Sequence, residues 1–337
     1  MSKIAKRRVV VTGLGVIASN GIGLNAFREA LQTGKSGIRW QESHKRHNLA
    51  SQIAGIPELT EDEILEVLPP NFLHKLTEAM VYAALCSVEC ARHSGEKIEL
   101  FSDVETPVNW SAGAIIGCGL GGGMEIVLEE FAPVLRESIH AEQGRGALPL
   151  GSDAVAKVMA SGVSAIVGKI LGLGAQVMSN SSACTTGTEA IFEGYKNIQL
   201  GYADSMYVGG TEGTHLGIYA GFDAMREVLC SDYNDLPEKA SQPMGAGACG
   251  FVPAGGCGIL RLEALESALK RGAPILCELV SAYCNSGGQR DGGSMTFPNP
   301  EGVQRCIRFV LEDAEVKPQQ LSLINGHLTS TTADPLE

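Results

Sequence analysis

The chain has 337 residues with an ordinary globular composition, 44% hydrophobic and 19% charged, and its formal net charge is −12. That acidic balance argues against nucleic-acid binding, which needs a concentrated basic surface, and no apolar stretch is long enough to span a bilayer. Ten cysteines are scattered without a C-x-x-C pair, so neither a zinc site nor a redox dithiol is predicted. With no signal peptide at its start, we expect a cytoplasmic protein with mostly buried, free thiols.

Hydrophobic runs predict strands and helices that alternate along the chain. Strands are predicted at 9–11, 112–116, 175–178, 205–208, 257–262, 275–283 and 321–324, and helices at 25–33, 73–93, 123–137, 152–170, 185–200 and 301–313. The first strand is expected to end in a turn at 12–15. Alternating elements with buried-type strands indicate an α/β fold with mixed sheets.

A glycine cluster at 117–123 follows one of these strands and precedes a helix, which is where a phosphate-binding turn would lie. Its match to G-x-G-x-x-G is weak, no Gly-Lys-Ser/Thr follows, and no acidic partner is evident on the next strand. We therefore interpret the cluster as a place of close backbone packing rather than a nucleotide site.

Cys184 lies in the segment SSACTTGT at 181–188, between a predicted strand and a predicted long helix. Small neighbours leave room for a substrate to approach the sulfur. The start of the helix brings its positive dipole end to the thiol, and such an environment lowers a cysteine pKa and favours the nucleophilic thiolate. Cys184 is therefore the candidate nucleophile, whereas most of the other nine cysteines are interpreted as core residues.

His327 lies in the segment NGHLTST at 325–331, directly after the strand predicted at 321–324. A histidine at a strand end beside hydroxyl groups is well placed to donate a hydrogen bond to a carbonyl oxygen. The other six histidines lack such a context and are interpreted as surface or packing residues. His327 is the second candidate catalytic residue.

Taken together, these segments resemble the β-ketoacyl–acyl carrier protein synthases of the elongating type, in the thiolase superfamily, over essentially the whole chain. The matching segments are RVVVTGLG at 8–15, IGCGLGG at 116–122, ACTTG at 183–187, GYAD at 201–204, VGGTE at 208–212, GF at 221–222, MT at 295–296, PEG at 300–302 and NGHLTST at 325–331. Each segment alone is weakly specific, but the ordered set is strongly so.

The resemblance implies a layered α-β-α-β-α thiolase-like fold with two similar halves. The first half, at 1–270, would carry the nucleophile, and 271–337 would begin the second half with His327. The family continues to a lysine, a second histidine and a Phe-Gly-rich loop that these 337 residues do not include, so the second half is expected to be incomplete. Asp334 and Glu337 look like the acidic pair that follows the active-site histidine.

The resemblance also implies a decarboxylative Claisen condensation. Cys184 would take an acyl group from one acyl carrier protein, and His327 would stabilise the enolate formed when malonyl on a second carrier protein loses carbon dioxide. Thr329 and Thr331 would line the malonyl or pantetheine path, and Phe222 the acyl pocket. No metal or organic cofactor is implied, and no nucleic-acid partner or membrane insertion. A homodimer is expected, with a heterodimer as the other arrangement.

Two other functions stay open on the sequence. A thiolase acting on coenzyme A esters belongs to the same superfamily, although the ACTTG segment fits the ketosynthases better. A non-catalytic partner or chain-length subunit would shape a pocket and bind a carrier protein. Such subunits usually lack the nucleophile that Cys184 supplies, which argues against this alternative, but the second histidine is not among these 337 residues and the alternative stays open.

Overall fold

A computed structural model describes residues 6–98, 100, 107–120, 123–140, 150–225, 228–288, 298–331 and 334, with the backbone alone at 138–140. The segments at 121–122 and 295–296 and Glu337, all noted in the sequence, lie outside the described residues. Contacts divide the chain into two compact units. The first takes in the described residues up to Gly37, Ile56–Ile218 and Ala254–Glu278, and the second takes in Ile38–Gly55, Tyr219–Pro253 and the described residues from Leu279 onward.

Seven of the nine strands in the described residues form one sheet. The strands are β1 Val9–Ala18, β2 Gly21–Ile22, β3 Ile38–Trp40, β4 Ile53–Gly55, β5 Ala112–Gly117, β6 Val177–Met178, β7 Ser205–Glu212, β8 Gly256–Ala264 and β9 Cys277–Leu279. The sheet order is β2-β1-β8-β7-β5-β6, and β9 also pairs with β1. β8 runs antiparallel to β1 and β7, while β5 runs parallel to β7 and β6. The carboxyl ends of β5 and β7 therefore meet at one edge of the sheet, next to the start of β8.

Thirteen α-helices lie in the described residues. They are α1 Gly23–Thr33, α2 Glu42–Arg46, α3 Glu61–Leu65, α4 Pro70–Leu73, α5 Glu78–His93, α6 Gly123–Ile126, α7 Ala132–His140, α8 Ala154–Val158, α9 Gly162–Leu171, α10 Thr186–Gln199, α11 Leu216–Asp223, α12 Leu265–Arg271 and α13 Pro300–Asp313. The helix predicted from residue 73 starts later, as α5, because the Thr77 side chain caps its first turn by accepting from the Met80 N–H. The helix predicted at 152–170 is interrupted between α8 and α9. In the part of the chain that the structure describes, no helix has the length and apolar character needed to cross a bilayer.

The first strand is longer than the sequence predicts. The turn expected at 12–15 is instead strand, because β1 continues to Ala18 with a bulge between Val11 and Gly13. A Cβ added at Gly15 would overlap the Cys86 carbonyl oxygen of α5. Glycine in this strand thus allows the backbone of α5 to approach closely, rather than reversing the chain.

The core of the first unit forms where α5 and α9 pack on each other and α5 packs on the sheet. Tyr82, Ala83 and Val88 of α5 and Val167 of α9 are buried there, together with Ile116 of β5. α10 packs on β7 and β5, the two strands that end at the same edge of the sheet. The packing places the first residue of α10 beside the ends of these two strands. The predicted α/β class is confirmed.

Two charged side chains of β8, Arg261 and Glu263, are buried inside the first unit. Glu263 is 1% exposed and accepts hydrogen bonds from Arg271 Nη2 at 2.7 Å and Thr12 Oγ1 at 3.1 Å. Burial opposes ionisation of Glu263, but Arg271 and Arg261 outweigh it and hold its pKa below the usual range. Arg261 in turn pairs with Glu96 at 2.6 Å. The network joins β1, β8, α12 and the segment that follows α5.

The second unit contains the antiparallel pair of β3 and β4. A disulfide joins Cys230 to Cys249, whose Cα atoms are 5.0 Å apart, and Cys230 packs in a small core with Ile53 and Ala240. The sequence predicts no cysteine pairing. The other eight cysteines are free, which agrees with the expectation of mostly free thiols.

Two predicted strands are wrong in length or in kind. The strand predicted at 275–283 is reduced to β9, and the run at 321–324 forms no strand in the described residues. Leu323 and Ile324 are 84% and 79% exposed. An apolar run becomes a strand only where another strand pairs with it, and no described strand lies beside this one.

Candidate functional site

A cavity of about 330 Å³ opens where β5 and β7 end and β8 begins. Ligands of open α/β sheets bind at this edge, beyond the carboxyl ends of the parallel strands. Most of the lining residues have a small side chain or none: Gly117, Gly119, Ala183, Gly210, Ala254, Gly255, Gly256 and Gly258. The others are Cys118, Thr186, Thr211, Glu212 and Cys257. Much of the cavity wall is therefore backbone.

Ala183 adopts a strained backbone conformation directly before Cys184. Its φ is 50°, in the left-handed region that costs a residue other than glycine about 1–3 kcal/mol. Such a conformation persists only where the surroundings hold it. Thr186 helps to stabilise this conformation, because its hydroxyl donates to the Ala183 carbonyl at 2.6 Å and accepts from the Ser182 N–H at 2.7 Å. The result is a sharp, fixed turn of the kind that presents a nucleophile.

Cys184 is exposed and lies between β6 and α10, where the sequence places it. Its neighbours Ala183 and Thr186 line the cavity. Thr185 is the N-cap of the 14-residue helix α10, so the thiol belongs to a turn at the positive end of a helix dipole, which favours negative charge. The other exposed free cysteine in the described residues is Cys277.

Gly117 shows what the glycine cluster does. A Cβ added there would overlap Cγ2 of Thr186 and lie 2.7 Å from Oδ1 of Asn180. Asn180 also donates through Nδ2 to the Thr186 carbonyl at 2.9 Å. The interpretation as close backbone packing is confirmed at this position, since only glycine lets β5 come so near the start of α10.

Glu212, at the end of β7, is a cavity residue that is not among the predicted site residues. Its carboxylate accepts hydrogen bonds from the Gly119 N–H at 3.0 Å and the Leu120 N–H at 3.1 Å. Burial raises the pKa of this carboxyl, and these hydrogen bonds oppose the rise. The Gly119 carbonyl accepts a hydrogen bond from Ser181 Oγ at 3.1 Å, which links the glycine cluster to the segment that carries Cys184. A glutamate directly after a Gly-Gly-Thr run at the end of an apolar strand is the signal that could have identified it.

His327, Thr329 and Thr331 lie on one loop of the second unit, which Asp334 organises. The N–H groups of Thr329, Ser330 and Thr331 donate to the Asp334 carboxylate at 3.0, 2.9 and 3.2 Å. Burial opposes ionisation of Asp334, but these backbone hydrogen bonds outweigh it and hold its pKa below the usual range. The hydroxyls of Thr329 and Thr331 are 3.4 Å apart, so the loop brings the two predicted threonines together. His327 is exposed.

Ser330 anchors this loop to the segment at 242–250. The Gln242 N–H donates to Ser330 Oγ at 3.0 Å, and the Gly250 N–H donates to the Ser330 carbonyl at 2.8 Å. Cys249, next to Gly250, is bonded to Cys230. The segment at 242–250, which anchors the loop of His327, is thus itself held by a disulfide.

Phe222 lies near the end of α11 and meets Phe251 edge to face, with ring centroids 5.2 Å apart. The next residue, Asp223, accepts hydrogen bonds from the N–H groups of residues 50 and 51, which fixes the end of the helix. Paired aromatic rings make a rigid apolar surface, which suits the pocket role predicted for Phe222.

The models of two protein-family domains match almost the entire chain. The β-ketoacyl synthase N-terminal domain matches residues 6–268, and the β-ketoacyl synthase C-terminal domain matches residues 276–337. The chain belongs to the β-ketoacyl synthase family. Within this β-ketoacyl synthase, Cys184 and Phe222 fall in the first match and His327, Thr329 and Thr331 in the second.

Relatives and solved structures agree with the assignment. The 3-oxoacyl-[acyl-carrier-protein] synthase 1 of Escherichia coli (strain K12) is 33% identical over 325 residues, covering 96% of this chain and 74% of that enzyme. The synthase 2 of Coxiella burnetii (strain RSA 493 / Nine Mile phase I) is 35% identical over 338 residues, covering 98% and 76%.

Two solved structures superpose on nearly the whole chain. A β-ketoacyl synthase from Burkholderia phymatum STM815 has a TM-score of 0.81 at 25% identity, covering 97% of this chain and 75% of that one. A ketosynthase in complex with its type II polyketide acyl-carrier protein has a TM-score of 0.80 at 26% identity, covering 98% and 76%. The predicted thiolase-like fold is confirmed.

Proposed function

We propose that this protein condenses an acyl group held on Cys184 with malonyl carried by an acyl carrier protein, releasing carbon dioxide and giving a β-ketoacyl–acyl carrier protein. The observation that carries the proposal is the turn at Ala183, which presents an exposed thiol at the start of α10 beside a cavity. Relatives named as 3-oxoacyl-[acyl-carrier-protein] synthases support the same reaction. A ketosynthase solved with its acyl-carrier protein supports the same partner.

In the first step the Cys184 thiolate attacks the carbonyl carbon of the incoming acyl thioester. A new carbon–sulfur bond forms, the bond to the pantetheine sulfur breaks, and that sulfur takes up the proton that Cys184 released. Negative charge develops on the carbonyl oxygen in between, and the positive end of the α10 dipole stabilises it. Covalent capture divides one difficult transfer into two easier ones.

In the second step the malonyl thioester loses carbon dioxide, and the electron pair of the broken carbon–carbon bond stays on the substrate as an enolate. His327 donates a hydrogen bond to the enolate oxygen. The α carbon then attacks the Cys184 thioester, a carbon–carbon bond forms, and Cys184 leaves as the thiolate. Thr329 and Thr331 line the malonyl or pantetheine path, and Phe222 borders the acyl chain.

The proposal includes a homodimer formed through the edge of the sheet. β6 is the end strand of the sheet, and Gly174, just before it, packs against Val108 and Trp110. Trp110 is 77% exposed, and Val108 and Val177 are exposed as well. An unpaired strand edge with apolar side chains favours pairing with a second copy. Light scattering should give twice the chain mass, and Trp110→Lys should shift it towards the monomer; a monodisperse wild-type monomer would contradict the dimer.

Intact-protein mass spectrometry after mixing with an acylated carrier protein tests the first step. Wild type should gain one acyl group, and Cys184→Ala should gain none. Cys277→Ala removes the other exposed free cysteine and is the matched control, so it should acylate like wild type. An acyl group retained by Cys184→Ala would show that another thiol carries the chemistry.

Adding malonyl–acyl carrier protein tests the second step. His327→Ala should acylate like wild type but release β-ketoacyl product about 100-fold more slowly, because removing one oxyanion donor has effects of that order. Equal product release by His327→Ala and wild type would remove His327 from the mechanism.

A further inference from the structure

Glu189, in the first turn of α10, reaches back to the nucleophile segment. Its Oε2 accepts a hydrogen bond from Ser182 Oγ, and its Oε1 accepts one from Thr185 Oγ1 at 3.1 Å. Ser182 and Thr185 stand on either side of Ala183 and Cys184. A single carboxylate thus closes a ring of hydrogen bonds around the strained residue and the thiol.

An acidic residue in the first turn of a helix has an ordinary explanation, because it interacts favourably with the helix dipole. That explanation needs no particular partner for the carboxylate. Here both oxygens of Glu189 accept from hydroxyls that precede the first residue of α10. The Thr185 hydroxyl shares its single proton between Glu189 Oε1 and the Ser182 carbonyl, which lies 2.9 Å away, so it connects the two sides of the turn.

We propose that Glu189 is a positioning residue for the nucleophile. It holds the left-handed backbone at Ala183 through Ser182 and Thr185, and thereby fixes Cys184 for attack on the thioester. The inference rests on the proposed function for its catalytic consequence. A strained residue persists only where its surroundings over-determine it, and Glu189 adds side-chain hydrogen bonds to those that Thr186 makes with the backbone.

Three variants of α10 separate this role from a general effect on the helix. Glu189→Ala removes both acceptor oxygens, whereas Glu189→Gln keeps the side-chain length and one acceptor oxygen. Glu193→Ala is the matched control, because Glu193 has the same chemistry one turn later and pairs with Lys196 at 2.6 Å. Ser182→Ala removes one of the two hydroxyls that Glu189 binds.

Two measurements on the whole protein report the effect: acyl transfer from an acylated carrier protein, and hydrogen–deuterium exchange of the amides at 182–186. Glu189→Ala should acylate about 10- to 100-fold more slowly, since displacing an attacking group by about 1 Å costs that much, and should exchange faster at 182–186 with an unchanged urea midpoint. Glu189→Gln should stay within about 3-fold of wild type, and Glu193→Ala should equal wild type. Adding Ser182→Ala to Glu189→Ala should cause no further loss, because both remove the same interaction.

The inference is overturned if Glu189→Ala acylates and exchanges like wild type, or if Glu189→Gln falls as far as Glu189→Ala. If wild type accepts no acyl group, the proposed function fails and exchange alone decides the role of Glu189. Faster exchange at 182–186 in Glu189→Ala, but not in Glu193→Ala, then supports the positioning role, and unchanged exchange overturns it.

Discussion

Replacing Thr186 with valine should weaken the nucleophile turn without changing the shape of the side chain. Thr186 is 5% exposed, and its hydroxyl makes two hydrogen bonds, to the Ala183 carbonyl and from the Ser182 N–H. Its Cγ2 methyl packs where Gly117 leaves room, and valine keeps a methyl there. The substitution therefore removes the two hydrogen bonds and little else.

The expected loss follows from the Ser182 N–H, which loses its partner. The Ala183 carbonyl still accepts a hydrogen bond from the Thr186 N–H at 3.1 Å. A buried polar group without a partner costs about 1–3 kcal/mol. Ser182 is half-buried, so water reaches this group and the low end of that range applies. With one group left without a partner, the free energy of unfolding falls by about 1 kcal/mol. Fewer hydrogen bonds then stabilise the left-handed backbone conformation of Ala183, whose φ is 50°.

Urea unfolding and Cys184 acylation, measured on the same preparations, test this reasoning. Thr186→Ser is the matched control: it keeps the hydroxyl, loses the methyl, costs about 1 kcal/mol and should acylate like wild type. Thr186→Val should lose about as much stability as Thr186→Ser but should be the slower of the two to acylate. If the valine variant acylates as fast as the serine variant, the hydroxyl does not hold the turn.

Three further changes have definite expected outcomes. Asp334→Asn should slow condensation more than acylation. In wild type the lowered pKa of Asp334 stabilises the fold above about pH 4. This stabilisation is lost as the pH falls through the pKa of the folded state, and acid unfolding should be shallower in Asp334→Asn. Reducing the disulfide between Cys230 and Cys249 should lower the free energy of unfolding by about 3 kcal/mol, as thermal unfolding with and without reductant would show. In Cys249→Ser the reductant should have no effect on stability. Arg271→Met should lower the free energy of unfolding, measured in urea, by about 3 kcal/mol, because the buried Glu263 carboxylate loses the guanidinium that donates to it at 2.7 Å.

Local pattern was sufficient to place Cys184, the candidate nucleophile, on an exposed turn before α10. The strand before Cys184, the small residues around it and the start of α10 lie within a few positions of one another, so short-range rules apply. The local Gly-Gly-Thr run marks the position of Glu212, but its contact could not be found in this way, because Glu212 binds the Gly119 N–H across 93 positions of the chain. The hydrogen bonds of Glu189 are local, but a sequence pattern does not say which way a carboxylate turns.

The wrong predictions have a common physical cause. Glycines at 13 and 15 are typical of a turn, yet β1 continues through them because α5 packs against its backbone. The apolar run at 321–324 is typical of a strand, yet no described strand pairs with it. In both cases tertiary contacts decide what the local pattern leaves undetermined. The pairing of Cys230 with Cys249 is likewise a contact that spacing alone does not specify.

The wall of the cavity formed by β8 lacks side chains at Gly256 and Gly258, and Gly255, directly before the strand, lacks one as well. A Cβ added at Gly258 meets no atom within 4 Å, so a larger residue there displaces neither backbone nor core. A methylene fills about as much space as a water molecule, about 30 Å³, and a cavity of about 330 Å³ therefore shrinks by a noticeable step with each carbon added. The volume of this cavity is therefore open to change by single substitutions at this one position, at almost no cost in folding.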